Sequence, residues 1–581
     1  MGNGGGAHKL IRRRPTPDTD LPERAGIHPL LARIYANRGV HSPEQLDLGL
    51  AHLLPPSQLL HADQAAALLA DAIAANKRII IVGDFDADGA TSTALAVAAL
   101  RAFGAGDVDY LVPNRFEYGY GLTPEIVQLA AGASPDLIIT VDNGISSIEG
   151  VEAARALGIS TLITDHHLAG RELPAADVIV NPNQPGCGFP SKHLAGVGVI
   201  FYVMLALRAE LRQRDWFQGR AEPNLGQFLD LVALGTVADV VPLDYNNRIL
   251  VSAGLQRIRA GNTRPAIDAL LELASRERHA LVASDLGFAL GPRINAAGRL
   301  DDMSVGIECL LSEDPAGARL LAGQLHQLNL DRRAIERGMQ EEAMQIIATM
   351  PEMQGELPPK AVTLYRADWH QGVIGILASR VKDRLHRPTI VFADGDDGEI
   401  KGSARSIAGI HVRDVLDTVA TRNPGLITRF GGHAMAAGLT LRRDDYADFA
   451  AAFVEEVANQ ADEAMLAAVI DSDGELTAGE FDLGLAEALR NAGPWGQHFP
   501  EPVFDGSFEL LNQRLVGQNH LKMVLQQPGS DLALDAIAFN VDIDVWPDQT
   551  VRRVDVAYRL DVNEFRGRRT LQLVVEHLVP A

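Results

Sequence analysis

The most constraining feature of this sequence is a run of apolar, β-branched residues that passes directly into a turn crowded with carboxylates. Residues 79–82 read Ile-Ile-Ile-Val, which has the length and composition of a buried parallel strand. Asp84, Asp86 and Asp88 follow within one turn, and a Thr-Ser-Thr segment then starts a helix. Carboxylates this close repel one another and raise each other's pKa, so we expect a cation to relieve the crowding. The alternative is a loop that only caps the helix.

Composition limits the kind of protein that this chain can be. Its 581 residues exceed the ~250–300 that one core supports, so several domains are expected. The net charge of −23 argues against coating nucleic acid with bulk positive charge, so a polyanion must meet a local basic patch or a bound metal. Cys187 and Cys309 form no CxxC pattern, which fits a reducing cytoplasm. No apolar run reaches the ~20 residues of a membrane span, so no membrane role is expected.

Strand-length and helix-length segments alternate after residue 59, which predicts βαβ units on a parallel sheet. Ligands collect at the carboxyl ends of the strands in such sheets. The predicted strands are 79–83, 108–112, 136–141 and 161–164, and the predicted helices are 91–103, 123–131 and 146–157.

Polar side chains stand where these strands leave the sheet. Asp142 ends one strand, His166 and His167 end another, and the apolar run 229–237, interpreted as a further strand, leads to Asp239. With the three acids of the first turn, these side chains are expected to meet in one volume. Imidazole and carboxylate ligands without sulfur suit Mn²⁺ or Mg²⁺, and Zn²⁺ less well. Such a site can hold one ion, or two ions ~3.5–4 Å apart. Two ions at this spacing can generate hydroxide and stabilise the leaving oxygen in phosphoester hydrolysis.

A second lobe follows a long amphipathic helix predicted within 303–350. Residues 401–406 combine glycine, hydroxyl and basic side chains, which suit a terminal phosphate; a solvated surface turn is the alternative. The expected elements of this lobe are strands at 361–365 and 389–393 and helices at 373–384 and 447–469.

Short strand-length segments separated by turns fill the C-terminal part of the chain. They lie at 503–510, 513–516, 521–525, 533–539, 553–560 and 570–575. This spacing predicts a small β-barrel, and an OB fold fits the ~110 residues. OB folds stack bases on aromatic rings beside a basic groove. The candidate contacts, each of which could instead be core or solvated surface, are Phe539, Phe565, Lys522, Arg566, Arg568 and Arg569.

Four motifs taken together resemble those of the DHH phosphoesterase superfamily. They are D-F-D-A-D-G at 84–89, V-D-N-G at 141–144, D-H-H at 165–167 and G-T-V-A-D at 235–239. The chain is similar, more narrowly, to the RecJ-type single-stranded-DNA-specific exonucleases of that superfamily. The segments that carry the narrower resemblance are 113–121, G-P-R-I-N-A-A-G-R-L at 291–300, 370–380, G-S-A-R-S at 402–406, G-G-H-A-M-A-A-G at 431–438 and G-P-W-G-Q-H-F-P-E-P-V-F at 493–504.

The resemblance implies an α/β fold with a DHH parallel-sheet domain and a DHH-associated α/β domain joined by a long helix, followed by a C-terminal OB-type β-barrel. The N-terminal segment up to residue 15 lacks the apolar region of a signal peptide and is expected to be a flexible tail. The expected domains are an arm at 1–58, the catalytic domain at 59–300, a helical connector at 301–354, a substrate-binding domain at 355–465 and the OB domain at 466–581.

The resemblance also implies roles for individual residues. Asp88, Asp142, His166 and Asp239 are the implied core metal ligands, and Asp84, Asp86 and His167 complete a second site or its inner support. His433 is implied to polarise the scissile phosphate. The implied pocket for a 5′ phosphate consists of Ser403, Arg405, Arg115 and either Arg293 or Arg299.

These residues lead us to expect a 5′→3′ exonuclease that uses one or two Mn²⁺ or Mg²⁺ ions and degrades single-stranded DNA to 5′ mononucleotides in repair and recombination. The family implies a single-strand binding protein and a helicase as partners, and a cytoplasmic monomer that acts at the nucleoid. One alternative is a phosphodiesterase of oligoribonucleotides or cyclic dinucleotides, although the connector and barrel argue against such compact enzymes. The other is a non-catalytic single-strand-binding replication factor, against which the intact set of metal-position residues argues.

Overall fold

The computed structural model describes residues 9–18, 20, 21, 25–114, 118, 121–350, 353, 359–565 and 567–581. It divides into two compact units, which we call the N-terminal and C-terminal units. The N-terminal unit contains Thr16–Leu330 and Arg490–Glu501. The C-terminal unit contains Asp331–Leu489 and Pro502–Ala581, together with the first strand of the chain, β1 (Lys9–Arg13).

The N-terminal unit is built on a sheet of five parallel strands, as the alternation of segments predicts. Ile79 and Ile81 pack into the core on one face of this sheet, and Ile80 and Val82 pack into the core on the other face. A strand that is buried on both faces reads as a continuous apolar run, which is why the sequence identifies it. The strands, in order across the sheet, are β3 (Asp107–Leu111), β2 (Arg78–Gly83), β4 (Leu137–Val141), β5 (Ser160–Thr164) and β6 (Val178–Val180).

Helices cover both faces of this sheet. The last of them is the long predicted connector, which begins in the N-terminal unit and ends in the C-terminal unit. A short π-helical turn at Leu286–Leu290 precedes α11. The helices are α1 (Pro29–Ala36), α2 (Ala62–Ala74), α3 (Ala87–Phe103), α4 (Pro124–Ala131), α5 (Ile148–Ala156), α6 (Gly196–Gln213), α7 (Leu229–Ala238), α8 (Tyr245–Arg259), α9 (Pro265–Leu273), α10 (Ala283–Asp285), α11 (Gly291–Leu300), α12 (Ser304–Leu311) and α13 (Pro315–Thr349).

The apolar run before Asp239 is a helix, so its interpretation as a strand was wrong. Leu231, Val232 and Leu234 of α7 are all fully buried although they point in different directions around the helix. A helix that is surrounded by core lacks the amphipathic period that would distinguish it from a buried strand. Asp239 follows the last residue of this helix and still reaches the carboxyl ends of the strands.

The C-terminal unit begins with a second α/β layer. Its sheet is mixed, because β7 and β8 are parallel and the other neighbours are antiparallel. Phe392, Phe449 and Phe453 fill its core. The strands, in order across the sheet, are β10 (Arg429–Gly432), β11 (Ala436–Arg442), β9 (Glu399–Arg405), β8 (Thr389–Asp394) and β7 (Val362–Tyr365), and the helices are α14 (Ile374–Leu385), α15 (Val412–Arg422) and α16 (Tyr446–Gln460).

The helix predicted at 447–469 is too long, and the N-terminal tail is not flexible throughout. The chain forms α16, a short α17 (Glu463–Leu466) and then β12 (Ala468–Ser472), which pairs in parallel with β1. The side chain of Arg12 donates to Asp471 at 2.6 Å, and that of Arg13 donates to Asp505. These partners lie more than four hundred residues away in the sequence, so a local pattern could not reveal the strand.

The C-terminal strands close into a barrel, which confirms the OB-type prediction. The predicted strands 503–510 and 513–516 are one continuous strand, because a bulge between Leu510 and Asn512 changes the register without ending it. A helix, α18 (Leu483–Asn491), precedes the barrel. Its strands, in order, are β13 (Phe504–Val516), β14 (His520–Gln526), β15 (Ala533–Ala538), β17 (Arg568–Pro580) and β16 (Arg553–Phe565). Within the described ranges, no helix has the length and apolar content that a bilayer crossing needs.

Candidate metal centre and phosphate site

The turn after β2 presents three carboxylates at the start of α3. Asp84 is nearly buried, and Asp86 is the N-cap of the helix. Asp88 lies in the first helical turn and is 1% exposed. Its carboxylate accepts hydrogen bonds from the backbone N–H groups of Gly196 at 2.6 Å and Val197 at 3.0 Å, which begin α6. The start of α6 therefore fixes the orientation of Asp88.

The ends of β4 and β5 bring a carboxylate and an imidazole together. Asp142 is buried and adopts a left-handed backbone conformation, with φ of 62°. The side chain of Asn143 donates to the carbonyl of Val82 at 3.0 Å and so ties this turn to β2. Nε2 of His166 lies 3.1 Å from Oδ1 of Asp142 and 3.5 Å from Oδ2 of Asp239. Three separate segments of the chain thus meet at His166.

Asp165 holds the neighbouring histidine in place. Its carboxylate accepts from Nδ1 of His167 at 2.7 Å and from the backbone N–H of Ile145 at 2.9 Å. Burial alone would lower the pKa of His167, but the hydrogen bond with Asp165 and nearby carboxylates outweigh it and raise the pKa to about 9. Asp165 therefore positions the His167 ring and leaves Nε2 directed away from this hydrogen bond, as carboxylates behind metal-binding histidines do.

All seven predicted metal ligands meet in one cluster. They form three overlapping groups, and in each group the potential ligand atoms lie within 4.8 Å of one another. The donors are carboxylate oxygens and imidazole nitrogens without a thiolate, which suits Mn²⁺ or Mg²⁺. The described residues therefore fit a centre for divalent cations. The groups are Asp142 with His166 and His167, Asp88 with His166 and Asp239, and Asp84 with Asp86 and Asp142.

The electrostatics of this cluster favour a bound cation. Burial, followed by the charge of Asp86, raises the pKa of Asp88 to about 7. Burial and neighbouring carboxylates also raise the pKa of Asp142 and that of Asp239 well above the usual range. A divalent cation neutralises this crowding and restores the ionised state of the acids.

Affinity for Mn²⁺ should increase as the pH rises from 6.0 to 7.5. The carboxyl of Asp88 keeps its proton below a pKa of about 7, and that proton competes with the cation. We expect up to about a tenfold gain per pH unit for each proton displaced. Calorimetric titration of the metal-free chain at several pH values measures this, with Asp109→Asn, on the exposed part of β3, as the control. A constant affinity across this range would contradict it.

Ser403 and Arg405 meet on β9 of the C-terminal unit. The Arg405 guanidinium donates to Oγ of Ser403 at 3.1 Å and to the carbonyl of Ala404 at 2.8 Å, and burial lowers the pKa of Arg405. The first turn of α14 packs directly against this pair, because a Cβ on Gly375 would lie 2.9 Å from both side chains. A hydroxyl, a guanidinium and a helix N-terminus in contact form a suitable site for a phosphate.

The other predicted substrate contacts have different surroundings. The guanidinium of Arg293 is buried and donates to the carbonyls of Ala289 and Leu273, so it supports α11 from within the N-terminal unit. Arg299 is partly exposed. His433 is exposed and follows β10, and Arg568 is exposed at the start of β17. Arg115 and Arg566 lie outside the described residues.

Comparison with known proteins decides the family. The model of the DHH family N-terminal domain matches residues 78–236, that of the DHHA1 domain matches 359–460 and that of the RecJ OB domain matches 472–577. The single-stranded-DNA-specific exonuclease RecJ of Dickeya dadantii is 58% identical over 98% of this chain and 99% of that protein. The chain belongs to the RecJ family.

Two solved structures of RecJ from Thermus thermophilus are similar to this RecJ-family chain over nearly its whole length. The complex with Mn²⁺ is 30% identical, with a TM-score of 0.79, and covers 96% of this chain and 77% of that one. The complex with Mg²⁺ is 28% identical, with a TM-score of 0.73, and covers 96% and 76%. Both cations are those that the ligand chemistry predicts.

The sequence did not single out two residues that hold the Asp-rich turn. Oδ1 of Asn295 accepts from the backbone N–H of Ala87 at 2.8 Å. A Cβ on Gly298 would lie 1.9 Å from the carbonyl oxygen of Phe85. Both belong to the G-P-R-I-N-A-A-G-R-L motif, of which the sequence predicts a role only for the arginines, as phosphate ligands. The neutral residues Asn295 and Gly298 of this motif could have indicated a contact with the Asp-rich turn.

Replacing Gly298 with alanine should displace the Asp-rich turn. The added methyl group overlaps the Phe85 carbonyl, so α11 or the turn has to move. We expect nuclease activity to fall at least about tenfold and the free energy of unfolding to drop by about 1–3 kcal/mol. The matched control is Gly323→Ala in α13, where nothing lies within 4 Å and alanine should be neutral or stabilising. Equal activity of both variants would contradict this reading.

Proposed function

We propose that this chain is a metal-dependent exonuclease that degrades single-stranded DNA from its 5′ end to 5′ mononucleotides. The observation that carries the proposal is the cluster of seven ligand side chains, three overlapping groups of which lie within 4.8 Å. The supporting observation is that the chain is 58% identical to the RecJ of Dickeya dadantii over 98% of its length. This similarity favours an exonuclease over a compact phosphodiesterase or a non-catalytic scaffold.

The chain's own residues prepare the reaction. The core metal ligands are Asp88, Asp142, His166 and Asp239, and Asp84, Asp86 and His167 support them. When bound, the cations supply Lewis acidity and activate water. Asp165 keeps His167 in one orientation through its bond to Nδ1. His433 is proposed to donate to the scissile phosphate and stabilise charge that develops in the transition state.

The direction of digestion is proposed to depend on a terminal phosphate. Ser403 and Arg405 bind this group, because they already share a hydrogen bond at the N-terminus of α14. Arg299 and Arg115 are the further proposed contacts, and Arg293 is less suitable because backbone carbonyls already engage its guanidinium. A strand with a 5′ hydroxyl lacks the dianion that these residues recognise.

The barrel is the proposed contact for the rest of the strand. Arg568 and Arg569 lie exposed at the start of β17, and Phe539 is 51% exposed after β15. Such side chains suit phosphates and bases respectively. Partners expected from the family are a single-strand binding protein and a helicase, and the proposed working form is a monomer acting on DNA at the nucleoid.

A comparison of substrates tests this function. The purified chain with Mn²⁺ is incubated with a long single strand carrying a 5′ phosphate, with the matching duplex and with a dinucleotide. We expect mononucleotides from the single strand and little product from the other two. Faster hydrolysis of the dinucleotide would favour the phosphodiesterase instead, and strand binding without hydrolysis under any divalent metal would favour a scaffold.

A further inference from the structure

A cavity of about 900 Å³ lies in the N-terminal unit apart from the metal centre. It is lined by residues 46–50, the start of α7, one face of α8 and residues 491–493, and none of the seven metal-centre residues lines it. Leu229 lines the cavity at one end of α7 and Asp239 follows the other end, so the two sites are roughly 15 Å apart along this helix. Its size is within the ~300–1,000 Å³ typical of small-molecule sites.

The G-P-W-G-Q-H-F-P segment at 493–500, which the proposed function leaves without a role, supports the wall of this cavity. The Trp495 ring stacks on Phe499, with centroids 5.2 Å apart, and on Tyr35, with centroids 6.0 Å apart. The Tyr35 hydroxyl donates to the carbonyl of Ala492 at 2.7 Å. These contacts hold the chain beside the cavity in one conformation.

Arg248 places a buried positive charge in the lining. It is 6% exposed, and its guanidinium lies 4.3 Å from the centroid of Phe499 and 5.6 Å from that of Tyr245. Its Nε has no hydrogen-bond partner in the described part of the chain. The nearby carboxylate of Asp244 already accepts from a serine hydroxyl and a backbone N–H. Ring stacking and the charge of Asp244 offset only part of the cost of burying this cation, which favours an anionic ligand.

A second arginine lies beside it on the same helix. Arg248, Ser252 and Gln256 follow at four-residue steps and therefore share one face of α8, with Arg257 next to them. Nε of Arg257 is also buried and has no acceptor among the described residues. The one acid of the lining, Asp47, is bonded to the His52 ring and to a backbone N–H of its own loop. The cavity thus presents two arginines to a ligand.

We propose that this cavity binds a nucleoside phosphate. Arg248 and Arg257 take the phosphate, because guanidinium groups match its oxygens in pairs. The amide side chains of Gln256 and Asn491 are lining groups able to pair with polar edges of a base, and the Tyr35 ring offers it an aromatic surface. This site goes beyond the exonuclease activity, because no step of hydrolysis uses it.

Calorimetric titration of the 581-residue chain carrying Arg405→Ala with deoxyadenosine 5′-monophosphate tests the proposal, because this substitution removes the 5′-phosphate pocket proposed above. The buffer contains EDTA, which keeps the metal centre from contributing. We expect one saturable site whose affinity falls roughly tenfold to a hundredfold in Arg257→Gln and at least as far in Arg248→Gln. Arg259→Gln, on the same helix but bonded to the carbonyl of Leu281, should leave the affinity of this parent chain unchanged. Exonuclease activity of Arg257→Gln should be unchanged.

The binding results distinguish the proposed cavity site from other nucleotide-binding sites on the chain. Melting temperatures show whether Arg248→Gln is folded, and the half-buried Arg257 carries the test if it is not. Absence of saturable binding by the Arg405→Ala parent, or an undiminished affinity when Arg257→Gln is added to it, would overturn the proposal. So would an equal loss in Arg259→Gln. Binding of a 5′-hydroxyl oligonucleotide through Arg257 without binding of the mononucleotide would also overturn it and indicate a path for the DNA strand.

Discussion

Asp142→Asn is expected to lower kcat/KM on single-stranded DNA by at least about 10³-fold, which corresponds to about 4 kcal/mol of transition-state stabilisation. Asp142 belongs to two of the three ligand groups and lies 3.1 Å from Nε2 of His166. An amide keeps the shape of the side chain but loses the charge that holds a divalent cation. Steady-state rates with Mn²⁺ on a 5′-phosphorylated strand measure the loss.

The same substitution should not destabilise the metal-free protein. Burial and neighbouring acids raise the pKa of Asp142 in the folded state. Stability from such a group is present below the unfolded pKa and is lost as the pH rises through the folded value. At neutral pH the asparagine removes this cost, so the melting temperature in EDTA should equal or exceed that of the wild type. Activity near the wild-type level would contradict the assigned role, and the exposed Asp109→Asn on β3 is the control.

Arg405→Ala is expected to reduce kcat/KM on strands with a 5′ phosphate roughly 10²-fold, equivalent to about 2.7 kcal/mol. The guanidinium is oriented by Ser403 at the N-terminus of α14, so its removal takes away the principal charge facing the phosphate. On strands with a 5′ hydroxyl, kcat/KM should fall little, because these strands present no terminal phosphate dianion. Arg405→Lys should have a kcat/KM between those of the wild type and Arg405→Ala, because an ammonium keeps the charge but lacks the planar pair of donors.

A neighbouring arginine supplies the control for Arg405. Arg429 lies exposed on β10 of the same sheet and is only loosely paired with Glu399, at 3.6 Å. Arg429→Ala removes the same charge from the same unit and should leave the ratio of rates on phosphorylated and hydroxyl ends unchanged. If Arg405→Ala lowered both rates equally, its role would be structural and the phosphate site would lie elsewhere.

The metal centre could be predicted because its signals are local. Asp84 directly follows β2 and Asp142 directly follows β4, and parallel strands bring their carboxyl ends to one edge. Helix α7 was mistaken for a strand because a fully buried helix has no polar face to reveal its period. The resemblance still led to Asp239, because it depended on the motif and not on the type of element, and Asp239 lies in one group with Asp88 and His166.

Individual hydrogen bonds and strand pairings between distant segments could not be predicted. The carbonyls that engage Arg293 belong to Ala289 and to Leu273, and only the fold brings Leu273 there. The backbone of Ala87 bonds to Asn295 across more than two hundred residues. The pairing of β1 with β12 joins opposite parts of the chain. Composition and periodicity report which residues are apolar, and they do not report which buried polar groups satisfy each other.

Anomalous diffraction from crystals of the 581-residue chain grown with Mn²⁺ tests the central claim most directly. We expect one or two peaks at the manganese edge, each within ~2.0–2.4 Å of oxygen or nitrogen atoms from Asp88, Asp142, His166 and Asp239. Crystals of Asp142→Asn should show weaker peaks or none. If the enzyme is active but manganese binds elsewhere and none of these four side chains coordinates it, the account is contradicted.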